Sequence, residues 1–103
     1  MNTYSELELS NGQKLRLTLN LKRLLILKSN HLDLYKEANK IITKGADDIF
    51  DMVKVLYAAY LCALEIGAEE MNYETFLNLV SDLGFGEITE KVGNLIQPKK
   101  SRF

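Results

Sequence analysis

Few side chains in this 103-residue chain have the chemistry for catalysis or metal binding, since it carries one His (His31) and one Cys (Cys62). A cysteine nucleophile needs a base in hydrogen-bond reach, and His31 is the sole imidazole. Cys62 sits between Leu61 and Ala63 within the apolar run Val55–Leu64. There a thiol behaves as a small hydrophobe with a raised pKa, not as a nucleophile. One Cys with one His cannot close a zinc site. Asp47, Asp48 and Asp51 lack the glycine and the distant glutamate of a calcium loop. Acids at a helix start, facing the positive end of its dipole, account for them. Gly84-Phe85-Gly86 lacks the third glycine and the Lys-Ser/Thr of a phosphate loop, and reads as a helix break. No catalytic residue, metal or cofactor is therefore expected, and the chain is read as a non-enzyme.

Two further groups suit binding instead of catalysis. Lys22, Arg23, Lys28, Lys36, Lys40 and Lys44 form a basic cluster across two expected short helices. A small helical DNA-binding regulator is the alternative reading of this cluster. Against it, base-reading Arg, Gln and Asn residues are not grouped at the second helix start, and Asp33 and Glu37 oppose a phosphate field. Solvated helix faces explain the lysines, so no nucleic acid partner is expected. Tyr57 and Tyr60 suit either a core position with a polar tip or an assembly surface.

Composition narrows the class. Apolar residues make up 47% and charged residues 26%, the balance of an ordinary globular domain. The ten-residue run Val55–Leu64 is about half of a bilayer span, so no membrane partner is expected. Met1-Asn2-Thr3-Tyr4 has neither the basic region nor the apolar core of a secretory signal. An intracellular protein is the expectation. The net charge of −1 conceals an uneven distribution: residues 1–45 carry +4, residues 46–97 carry −8, and residues 98–103 carry +3. Opposite halves of this kind would favour a head-to-tail contact between copies.

The elements that must position these residues are legible from their periodicity. Leu7 and Leu9 alternate with Glu6 and Glu8, and Leu15, Leu17 and Leu19 with Arg16 and Thr18, around Asn11-Gly12. A two-residue loop would place the two leucine sets on opposite faces. A three-residue loop, with Gly12 in the left-handed region, pairs Leu7 with Leu15, Glu8 with Lys14 and Glu6 with Arg16, and keeps the leucines together. Asn20 is expected to cap a short helix whose apolar face is Leu21, Leu24 and Leu25. Asn30 would cap the next, with Leu34, Ala38, Ile41 and Ile42 inward and Gly45 at its end; the two helices could equally be one with a kink. The longest helix opens at Ala46-Asp47-Asp48 and extends to Ile66 before Gly67. It is apolar all round from Val55, with stripes through Phe50, Val53, Tyr57, Tyr60 and Leu64, and through Ile49, Met52, Leu56, Ala59, Ala63 and Ile66. Asn72 caps a helix bearing Phe76, Leu77, Leu79 and Val80, broken at Leu83-Gly84-Phe85-Gly86. A last helix carries Ile88, Val92, Leu95 and Ile96. The expected fold is α+β and mostly helical: an N-terminal β-hairpin followed by four to five helices around a central buried helix. Residues 1–97 form one domain, and residues 98–103 a basic, disordered tail.

Three segments carry a family resemblance: Lys14-Leu15-Arg16-Leu17-Thr18-Leu19, Ile49-Phe50-Asp51-Met52 leading into Leu56-Tyr57-Ala58-Ala59-Tyr60-Leu61-Cys62-Ala63, and Met71-Asn72-Tyr73-Glu74-Thr75-Phe76. In these, and in the order of hairpin, helices and polar tail, the chain resembles the small tail assembly chaperones of long-tailed phages and prophages of Gram-positive bacteria. The likeness extends to about residue 97 and lies in packing motifs. It implies a protein that binds the long helical tape measure protein, assists tail tube subunits to assemble around it, self-associates, acts in the host cytoplasm and is absent from the finished virion. It also implies a longer frameshifted product, for which Lys99-Lys100 fits an A-rich slippery stretch. The candidate interaction residues are Tyr57, Tyr60 and Leu61, or the hairpin edge at Leu15 and Leu17. Packing within the chain is the simpler explanation of both sets.

Overall fold

The computed structural model describes residues 4–96; the expected basic tail, 98–103, lies outside them. Strands β1 (Ser5–Glu8) and β2 (Lys14–Leu17) form the antiparallel hairpin in the register that the leucine parity requires. Leu7 faces Leu15, Glu6 faces Arg16 and Glu8 faces Lys14. Gly12 adopts φ +89°, a conformation in which a Cβ is strained. The Asn11 side chain accepts from the Gln13 N–H at 2.8 Å and closes the turn. Leu7, Leu9, Leu15 and Leu17 are all buried on one face.

Five helices follow: α1 (Leu21–Asn30), α2 (Leu32–Lys44), α3 (Ile49–Ala63), α4 (Tyr73–Val80) and α5 (Phe85–Ile96). Their starts are set by local chemistry. Asn20, Asp48 and Asn72 each accept a hydrogen bond from a backbone N–H three residues on, satisfying a donor that the helix leaves unpaired. At α3 the arrangement is reciprocal, because Asp51 in turn accepts from the Asp47 N–H at 2.8 Å. Gly45, at φ +104°, ends α2. Two helices, not one kinked helix, fill residues 21–44. Asn30 is the last residue of α1 instead of a cap, and His31 alone separates the pair.

Helix α3 is the centre of the molecule. It packs against β2, α1, α2, α4 and α5, and nine of its fifteen residues are buried. A helix apolar on every side must be covered on every side, and the other elements form that cover. The hairpin is fixed to it by backbone as well, where the Thr18 N–H donates to the Ala59 carbonyl at 3.2 Å. Lys91 of α5 reaches the Glu6 carbonyl at 2.6 Å and joins the opposite edge.

Four further expectations need correction. Helix α3 ends at Ala63, not Ile66; Leu64 is extended and Ile66 is exposed. The chain must turn early to bring Met71 back onto the hydroxyls of Tyr57 and Tyr60. Phe50, expected in the buried stripe, lies in the exposed first turn of α3. Phe85 and Gly86 begin α5 and α4 ends at Val80, so the break lies at Ser81–Gly84 and not at Leu83–Gly86. The fourth concerns the facing of α1. Leu27 is buried and Leu24 half-buried, whereas Leu21 and Leu25 point outward at 84% and 63% exposure. Docking on α3 selects one of two apolar faces of α1, and the other remains in solvent.

Two leucines near the hairpin exit therefore differ sharply. Leu17→Ala should destabilise the protein by about 2–5 kcal/mol, because it opens a cavity at a fully buried position. Leu21→Ala should change stability by no more than about 0.5 kcal/mol. Urea denaturation of the two variants checks both.

Candidate functional site

The residues with chemical potential do not converge. The His31 ring meets Glu70 at the surface, Nε2 to Oε2 3.1 Å. Cys62 is buried in α3, where loss of solvent pushes its thiol from 9.0 up to about 12, against a smaller opposing pull from Arg23. Asp48 and Asp51 are engaged in the α3 cap. Among the described residues no three His, Cys, Asp or Glu side chains are grouped to hold a metal ion. Between the end of α2 and the start of α3 lies a cleft of about 290 Å³ with Lys40, Lys44 and Lys54 facing Glu37, Asp47 and Asp51. Its charges balance internally, and Lys54 pairs with Glu37 at 3.1 Å.

The aromatic side chains do converge. Tyr57, Tyr60, Tyr73 and Phe76 form one cluster, with ring centroids of Tyr57 5.4 Å from Tyr73 and 5.3 Å from Phe76, and Tyr60 5.5 Å from Phe76. The Tyr57 hydroxyl donates to the Met71 carbonyl at 2.9 Å, and the Met71 N–H donates to the Tyr60 hydroxyl at 3.1 Å. Two rungs of α3 thus grip both polar groups of one residue and fasten the 64–72 segment across the helix. Burial, then the Glu70 charge, then Tyr60 raise the pKa of Tyr57. Burial raises that of Tyr73, with Lys54 opposing and Glu37 and Asp51 assisting.

These contacts decide the placement of the five candidate interaction residues. Leu15, Leu17 and Leu61 are buried in the core, and so is Tyr60; Tyr57 is half-buried with its hydroxyl committed to Met71. Leu15 and Tyr60 come together beneath a shallow hollow of about 300 Å³ rimmed by Lys14, Arg16, Leu64 and Glu65. Leu17 and Leu61 do not line it. None of the five offers a partner a free apolar side chain, because α3 and its cover already use them.

The exposed apolar surface lies elsewhere. On α1, Leu21 and Leu25 are one turn apart on the outer face, with Lys22 and Lys28 exposed at its two sides. Leu32, at the start of α2, is 45% exposed. Phe85, 70% exposed, borders an open groove of about 440 Å³ with Ile49, Met52 and Thr89 where α5 and α3 begin. Sequence patterning misses both surfaces because it places Leu21 and Leu25 inward with Leu24, omits Leu27, and puts Phe85 in a helix break. The available signal was that α1 has apolar residues at 21, 24, 25, 26 and 27, more than one face can hold. The α1–α2 junction is one residue long, whereas a helix-turn-helix uses about three to four. No helix among the described residues is long and apolar enough to cross a membrane.

No family model matches this chain, and neither does any curated protein or solved structure.

Tyr57→Phe and Tyr60→Phe should each cost about 0.5–1.5 kcal/mol through the lost bond to Met71. The double variant should cost less than the sum, since both bonds hold one residue; denaturation of the three variants measures this. Cys62 gives a pH signature. The unfolded thiol ionises near 9.0 while the folded one stays protonated to about 12, so its contribution is complete below pH 9 and is lost as pH rises toward 12. Urea titrations across that window should show a shallower alkaline decline for Cys62→Ala than for the wild type.

Proposed function

We propose that this chain is a non-enzymatic tail assembly chaperone of a long-tailed phage or prophage, whose client is the tape measure protein. The observation that carries this reading is the outer face of α1. Leu21 and Leu25 stand in solvent between Lys22 and Lys28 although the chain has a well-filled core. An apolar strip on a helix, with charge at its edges, suits the groove or face of an amphipathic helix. A tape measure protein is a long helical chain that needs its apolar stripes covered until tube subunits enclose it. The resemblance of the 14–19, 49–63 and 71–76 segments to such chaperones supports the same reading.

On this reading the core candidates Leu15, Leu17, Tyr57, Tyr60 and Leu61 shape the protein, and the α1 strip contacts the client. The chaperone acts in the cytoplasm of the bacterial host, transfers the client to tail tube protein, and does not remain in the virion. It needs neither nucleic acid nor membrane.

Co-expression with the tape measure protein encoded beside it should give a complex that co-purifies. Leu25→Asp should reduce recovery by about tenfold or more, as expected for a central interface side chain, while Tyr57→Phe should leave it intact. Failure of the folded wild type to co-purify would remove the reading. Salt-sensitive retardation of nonspecific DNA would favour a DNA-binding regulator instead.

A further inference from the structure

One apolar surface serves neither the core nor the client reading, which uses α1. It is the open groove of about 440 Å³ where α3 and α5 begin, lined by Ile49, Met52 and Thr89 and bordered by the exposed Phe85. We propose that this groove is the docking place of the chain's own segment 97–103, with the Phe103 ring entering beside Phe85. Lys99, Lys100 and Arg102 then lie against the acids around the groove and along α5.

Reach is the first requirement. Phe85 and Ile96 stand at the two ends of α5, about 17 Å apart along its axis. Seven extended residues span about 23 Å, so a segment that doubles back brings residue 103 to the groove. Pro98 disfavours helical backbone at Gln97 and so opposes continuation of α5. The second requirement is a path. Gly86, Thr89, Glu90 and Gly93 share one exposed face of α5 at helical spacing, and Thr89 lines the groove. Glycine weakens a helix, yet a Cβ at Gly86 or Gly93 would meet nothing within 4 Å. Packing among the described residues gives no reason for these two glycines, whereas close passage of a second stretch of backbone does.

The third requirement is charge. Residues 46–52 and 81–96, which contain the start of α3 and all of α5, hold six acids and one base. That base, Lys91, follows Thr89 by two residues and so points away from the groove, where its ammonium meets the Glu6 carbonyl at 2.6 Å. Lys40, Lys44 and Lys54 line the adjoining cleft with Glu37, Asp47 and Asp51, and Lys54 is paired with Glu37. Asp47 borders both hollows, Asp48 lines the groove, and Glu87 and Glu90 are exposed on α5. The three bases of the segment complement this field. So short a segment offers little surface to a separate protein, but the tether presents it to the groove at high effective concentration. The contact does not depend on the client reading, because it leaves Leu21 and Leu25 uncovered.

Methyl NMR of the full chain tests this. Phe103→Ala changes nothing within residues 4–96, so the fold is not at stake. It should move the Ile49 and Met52 methyl resonances through loss of the nearby ring, and leave those of the fully buried Leu7 and Leu56 in place. Lys99→Glu combined with Lys100→Glu should move the same two resonances toward their Phe103→Ala positions, as should high salt on the wild type. In the wild type both resonances should hold the same position at every protein concentration. Ile49 and Met52 methyls that Phe103→Ala leaves unmoved would overturn the contact, whether or not an added protein later shifts them. Positions that change with concentration would overturn it too, since they put the segment of another copy in the groove.

Discussion

Everything in this protein follows from the need to cover helix α3. From Val55 to Ala63 it presents apolar atoms in every direction, and water cannot be excluded from such a helix by one neighbour. The hairpin, α1, α2, α4 and α5 surround it, with the Thr18–Ala59 backbone bond and the Tyr57–Met71–Tyr60 grip holding two of these covers in register. Among the described residues these elements form a single layer around α3. The outward side of each cover therefore meets solvent with whatever residues it carries. Where those residues are Leu21, Leu25 and Phe85, the surface is apolar and open to further contact.

The parts of the fold legible in the sequence are those that local physics decides. Hairpin register was readable because a one-residue slip would turn Leu15 and Leu17 to solvent, and Gly12 supplied the positive φ that the correct loop requires. Asn20, Asp48 and Asn72 announced helix starts through a side-chain oxygen within reach of unpaired N–H groups. What the sequence concealed is tertiary. Helix α1 has leucines on two faces, so its own pattern does not name the inner one; contact with α3 does. The pattern of α3 continues through Leu64 and Ile66, but the helix stops at Ala63 and the chain returns to bond Met71 to the Tyr57 and Tyr60 hydroxyls, a tertiary arrangement that periodicity does not encode.

The same division applies to the candidate site. Of the apolar and aromatic side chains clustered in the sequence, Leu15, Leu17, Tyr60 and Leu61 lie in the core and Tyr57 packs against it, because clustered apolar residues are what a core needs. Surfaces available to a partner come from isolated leucines and one phenylalanine at the margins of the pattern. The uneven charge along the chain gains a location from the fold. The basic N-terminal half includes the α1 ridge, and the acidic half includes both walls of the Phe85 groove. A net charge of −1 is therefore the sum of a basic and an acidic part of the chain.

The central claim is that this protein works through the outer face of α1 while its core stays closed. Methyl-group NMR during titration with a helical segment of the tape measure protein addresses that claim directly. Shifts are expected at the methyls of Leu21 and Leu25, with those of Leu15, Leu17 and Leu61 unmoved. Shifts confined to Leu15, Leu17 and Leu61, showing that the core opens to take the client, would contradict it.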